Sequence, residues 1–151
     1  MAVARSLKSA LEPYEGFDNY FEYQKADFAE TQEILLEGLE ASSLPLKPVK
    51  AEGGYFVMVD VSECRDLIPE KYFKAEEFES DPDTTIEKND FGSPVPLDLA
   101  FCRWLCLEKK VVTMPGTFFY DRRSEHAEHH YVRFAICRGE EITRESMRRI
   151  A

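Results

Sequence analysis

Arg133 is the residue whose type and setting most invite chemistry. It lies in the run Tyr131-Val132-Arg133-Phe134-Ala135-Ile136-Cys137. Strand alternation puts Val132, Phe134 and Ile136 on one face and Arg133 with Tyr131, Ala135 and Cys137 on the other. A guanidinium on so apolar a strand must find an anion, because an unpaired buried charge is costly. Its planar fork matches a carboxylate through two parallel hydrogen bonds. Two ordinary partners compete with a bound ligand: one of the chain's own acids in a salt bridge, or solvent at a strand edge. Spacing alone favours these.

His126, His129 and His130 stand beside Glu125 and Glu128. Positions i, i+3 and i+4 could share a helical face and hold zinc. No cysteine is near and no second cluster exists, so the segment reads as a solvated loop or turn and no metal is expected. Cys64, Cys102, Cys106 and Cys137 form no CxxC pair and read as reduced thiols. Cys102 and Cys106, four apart, read as two small buried hydrophobes. Met114-Pro115-Gly116-Thr117 could present backbone amides at a tight turn. GxGxxG, GxxxxGK[ST], HExxH and GxSxG are absent.

The elements that must position these residues follow from periodicity. Val3, Leu7, Ala10 and Leu11 trace a helix that Pro13 stops. It has no N-cap residue, so it reads as continued from upstream. Asp18 and Asn19 are cap candidates for a second helix over 19–41, with Phe21, Phe28 and Leu35 as its apolar stripe and Gly38 weakening its last turn. Pro45 and Pro48 punctuate an extended stretch. After Gly53-Gly54, residues 55–61 read as a strand buried on both sides. Residues 62–95 hold ten acids and four bases, and read as a solvated acidic excursion with one short helix over 69–78. Pro96-Leu97-Asp98 opens a third helix, closed by Lys109-Lys110, with Phe101, Cys102, Trp104 and Leu105 on its buried side. A short strand over 111–114, the 131–137 strand and a last helix from Glu140 to Arg149 complete the chain. The expected class is α+β: a two-layer domain with a short, antiparallel-rich sheet packed by helices.

Composition bounds the rest. The 151 residues suffice for one domain with a real core, and the net charge of −10 disfavours nucleic acid and anionic lipid as partners. No run is long and apolar enough for a spanning helix. The first residues lack a secretory core, so a cytoplasmic protein is expected, with mitochondrial placement open.

Five motifs in order carry a resemblance: Gly53-Gly54-Tyr55-Phe56, Trp104, Met114-Pro115-Gly116-Thr117, Phe118-Phe119 and Tyr131-Val132-Arg133-Phe134, preceded by the helix from Tyr20 to Leu39. The chain resembles the C-terminal small domain of class I/II, fold-type I aminotransferases that use pyridoxal phosphate (PLP). It is most like kynurenine aminotransferase/glutamine transaminase K (cysteine-S-conjugate β-lyase). The resemblance implies that Arg133 binds the α-carboxylate of amino-acid and 2-oxo-acid substrates and that Phe56 borders their pocket. It also implies a PLP-bearing lysine in an S-x-x-K segment of a large domain, and none of the nine lysines here matches that motif. The chain by itself is therefore expected to bind no cofactor, supply no catalytic residue and be inactive. Its first helix should expose an apolar stripe suited to homo-oligomers. The alternative is a stand-alone amino-acid or oxo-acid-binding, or dimerising, module without catalysis.

Overall fold

The computed structural model describes residues 2–74, 95–121, 124 and 126–151. Among these residues four α-helices and four strands form in chain order: α1 (Ala2–Ser9), α2 (Tyr20–Glu40), β1 (Lys47–Val49), β2 (Phe56–Asp60), α3 (Leu97–Trp104), β3 (Met114–Pro115), β4 (Tyr131–Ala135) and α4 (Glu140–Ile150). The strands make one antiparallel sheet ordered β1-β2-β4-β3. The α+β class expected from the sequence is the class found. No described helix is long and apolar enough to cross a membrane.

The sheet is two-faced. Val57, Val59, Val132 and Phe134 are buried on one face, in a single core with Leu35 and Leu39 of α2, Phe101 and Trp104 of α3, and Met147 and Ile150 of α4. Phe56, Met58, Asp60, Tyr131 and Arg133 lie on the other, only half-covered. This corrects the expectation that β2 is buried on both sides. The half-open face accepts Arg133 where a closed one would not.

Of the two cap candidates Asn19 caps α2, its side chain accepting from Phe21 N–H at 3.0 Å and Glu22 N–H at 3.1 Å. The helix buries Thr31, Gln32, Ile34, Leu35 and Leu39, whereas Phe21 is exposed, so only the C-terminal half of the expected stripe faces the core. Gly38 has a role its helix propensity hides. A Cβ there would lie 2.6 Å from Met147 Cβ, so the glycine lets α4 approach α2. β1, read only as an extended stretch, is an edge strand, where Pro48 costs no inner ladder bond.

The acidic excursion departs from expectation over its described part. Residues 62–74 do not leave the domain. Two 3-10 turns, Ser62–Leu67 and Glu70–Phe73, drop Cys64, Ile68, Tyr72 and Phe73 into the core while their acids stay outside. The expected helix over 69–78 is this single turn as far as residue 74; the remainder to residue 94 lies outside the described residues. Tyr72 Oη donates to Glu108 at 2.6 Å, tying the segment to the end of α3. There α3 widens into a π turn over Leu105–Lys109 and stops at Lys110, whose φ of 58° is left-handed. The strand expected over 111–114 is two residues long, Met114–Pro115.

Candidate anion site on the half-open face

Arg133 occupies the centre of β4, opposite Met58 on one side and Met114 on the other. Its neighbours Val132 and Phe134 anchor the strand in the core, which fixes the direction the guanidinium takes. Cζ lies 3.8 Å from the centre of the Phe56 ring and 4.2 Å from that of Phe119. The planar group is thus held by two aromatic rings. Each is worth about 0.5–2 kcal/mol of cation–π attraction, depending on how dry the contact is. Met114, Phe118 and Tyr120 stand exposed on the same connection that carries Phe119.

Neither ordinary partner is present. Among the described residues no acid forms an ion pair with Arg133, and its Nε is buried without a hydrogen-bond partner. Its half-buried position also excludes a fully solvated edge. Stacking constrains the fork's plane but cannot neutralise it, so the donors remain available to a planar anion.

Phe56, implied only by resemblance, touches the guanidinium directly and packs its own ring on Tyr55 at 4.5 Å. The residues that the sequence reading passed over are those behind Phe119. The turn Gly116–Phe119 is fastened to the first turn of α3 by Asp98, which is wholly buried. Its carboxylate accepts from Thr117 N–H at 2.6 Å, Thr117 Oγ1 at 2.8 Å and Leu99 N–H at 2.9 Å. The Thr117 amide, one of those the turn could have presented, is therefore committed inward. In sequence, Asp98 signals only an acid in the first turn of α3, where it suits the helix dipole.

The three histidines do not converge. His129 Nδ1 lies 2.8 Å from Thr117 Oγ1, the His130 ring packs on Tyr131 at 4.5 Å, and the His126 backbone bonds Ser124 Oγ. Among the described residues no group of three His, Cys, Asp or Glu side chains could hold a metal ion. Cys102 is buried as expected but Cys106 is exposed, because the π turn rotates it out of the packed stripe. Burial pushes the Cys102 thiol up to about 12 and that of Cys64 up to about 11.

No protein-family model matches the chain. Its sequence is similar to a candidate kynurenine–oxoglutarate transaminase of Saccharomyces cerevisiae, 29% identical over 149 residues, covering 99% of this chain and 28% of that protein. It is also similar to kynurenine–oxoglutarate transaminase 1 of Homo sapiens, 23% identical over 139 residues, covering 92% and 28%. Among solved structures it is similar to Bna3p, a candidate kynurenine aminotransferase from Saccharomyces cerevisiae. That match has a TM-score of 0.63 and 27% identity, covering 98% of this chain and 30% of that one. The aspartate aminotransferase of Rhizobium meliloti shares the fold at a TM-score of 0.58 and 18% identity, over 91% and 27%. The chain spans little more than a quarter of the curated relatives it matches, in their C-terminal part. The aminotransferase resemblance read from the motifs is borne out over nearly the whole chain.

Proposed function

We propose that this chain is the substrate-carboxylate-binding small domain of a PLP-dependent aminotransferase, of the kynurenine/glutamine–oxo-acid type, with residues 1–151 forming one domain. The observation that carries the reading is Arg133: a guanidinium clamped by Phe56 and Phe119 with no anion of its own among the described residues. A substrate α-carboxylate completes that site by bidentate hydrogen bonding, and holding it there orients the α-carbon for transfer. Phe56 forms the wall of the pocket beside it.

Three of the described lysines are poorly suited to hold the cofactor. A Schiff-base lysine must lose its proton and stand free. Lys47 and Lys71 are instead held above the usual range, chiefly by hydrogen bonds to Glu63 and Tyr72 respectively, and Lys50 pairs with Glu33. As the resemblance implies, we place the PLP lysine in a part of the enzyme outside these residues, and no chemical step is assigned to this chain alone. The exposed stripe Val3, Leu7 and Leu11 on and just after α1 favours association through that face, including the alternative of a dimerising module that binds amino or oxo acids without catalysis.

Calorimetric titration of the chain with 2-oxoglutarate and L-kynurenine tests the reading. Saturable binding is expected, and Arg133→Gln should weaken it at least about tenfold, since a hydrogen bond to a charged group contributes about 1.5–3 kcal/mol. No binding by the unaltered chain overturns the site. With one equivalent of PLP per chain no saturable internal-aldimine absorbance band should form; such a band, with borohydride then labelling a single lysine stoichiometrically, overturns the cofactor assignment.

A further inference from the structure

We infer that Asp98 is a positioning residue for the anion site: through Thr117 it fixes the turn that carries Phe119, and so holds one of the two rings that clamp Arg133. The inference rests on reading Arg133 as the carboxylate-binding residue.

Phe119 is 57% exposed, so burial does not decide where its ring sits. Its place follows from how the turn Gly116–Phe119 is fastened on the side away from the ring. Three fasteners are visible. Pro115 pairs with Val132 in the ladder. Gly116 lies against β4 so closely that a Cβ would come 2.8 Å from the Tyr131 carbonyl oxygen. Asp98 takes both the amide and the hydroxyl of Thr117. The last is the strongest in kind, because both bonds end on a buried carboxylate.

The direction of each bond follows from the donors available. The Thr117 hydroxyl proton goes to Asp98, so Thr117 Oγ1 is the acceptor toward His129, and His129 Nδ1 carries the donated proton. Asp98 N–H returns to the His129 carbonyl at 3.0 Å. The circuit joins the start of α3, the Phe119 turn and the chain entering β4, the strand that carries Arg133. An amide in place of the carboxylate would turn an NH2 group toward a donor whichever way it was placed. The geometry therefore asks for a carboxyl group, with an acceptor oxygen on each side, and not just a polar residue.

The test reads Arg133 itself. Its Nε–Hε proton is carried next to the Cζ that stands over both rings, so ring-current shifts and NOEs to Phe119 are expected. Thr117→Val keeps side-chain size and the amide bond but removes the hydroxyl; Asp98→Asn removes the charge; Thr117→Ser retains both bonds. In Thr117→Val and Asp98→Asn the Hε signal should move toward its random-coil position and the Phe119 NOEs should fade, within an otherwise native spectrum. Thr117→Ser should match the unaltered protein. If Asp98→Asn fails to fold, Thr117→Val decides. A folded Thr117→Val protein with an unchanged Arg133 signal overturns the inference and leaves Asp98 a purely structural acid. Titration of the same samples with 2-oxoglutarate should show affinity about tenfold lower in Thr117→Val, the loss of roughly one hydrogen bond's worth of order. Undiminished affinity despite lost NOEs overturns the functional half. Failure of the unaltered protein to bind refutes the carboxylate reading instead, while the NOEs still decide the positioning.

Discussion

Replacing Arg133 by methionine should leave the ligand-free protein about as stable as before, and that outcome separates a binding arginine from a structural one. Methionine keeps the apolar stem and fills the slot between Phe56 and Phe119 with a polarisable thioether. The change gives up two cation–π contacts, about 0.5–1 kcal/mol at exposed Phe119 and about 0.5–2 at half-buried Phe56, together about 1–3 kcal/mol. It also removes a buried Nε that has no partner, recovering about 1–3 kcal/mol of desolvation cost. The two nearly cancel, and urea unfolding at neutral pH should move by less than about 1.5 kcal/mol, half the upper bound of either contribution. Had Arg133 been locked to an internal acid, the same change would strand that acid and cost about 3–5 kcal/mol. Ligand then splits the two proteins. At a 2-oxoglutarate concentration a hundred times its Kd the unaltered chain gains about 2.7 kcal/mol, and the variant should gain none. A ligand-free loss above about 3 kcal/mol, or an equal gain with ligand, refutes the reasoning.

Gly38→Ala should destabilise by about 1–3 kcal/mol despite the better helix propensity of alanine, because the new methyl overpacks against Met147; a raised thermal midpoint would show that α4 yields instead. Of the four thiols, Cys106 and Cys137 should react promptly with a disulfide reagent at pH 8, and Cys64 and Cys102 only on unfolding, which thiol counting with and without denaturant checks. Tyr72→Phe should lower the unfolding midpoint by removing the bond to Glu108. Hydrogen bonds from Tyr72 and Lys71 hold the Glu108 carboxyl below its usual range, so this contribution is full above the unfolded carboxyl's pKa and declines as pH falls through the lower folded one. The gap between variant and parent should therefore narrow in acid, and a gap independent of pH would count against it.

Elements with strong local signals were legible before the structure. The Asn19 cap, the 131–135 strand and the acid-first, base-last α4 all depend on nearest neighbours in sequence. So did the candidate arginine, since alternation alone places it off the core face. What escaped was set by tertiary approach. Gly38 looks like a weak helix residue until Met147 is beside it. Residues 62–74 look solvated by charge, yet four apolar side chains spaced along them reach the core while their acids point out. Asp98 looks like a dipole partner until Thr117, nineteen residues away, arrives to claim it. Arg133's want of an anion is likewise invisible in sequence, where acids are plentiful at every plausible distance.

Each outer strand of the sheet carries proline: Pro48 in the three residues of β1 and Pro115 in the two of β3. Neither border offers an unbroken row of amide donors, so the sheet cannot readily be lengthened by a neighbour's strand. Growth into fibrils by edge-to-edge pairing is discouraged at both ends. Any chain that joins this domain must recognise its side chains rather than its backbone, and recognition of that kind can be altered one residue at a time.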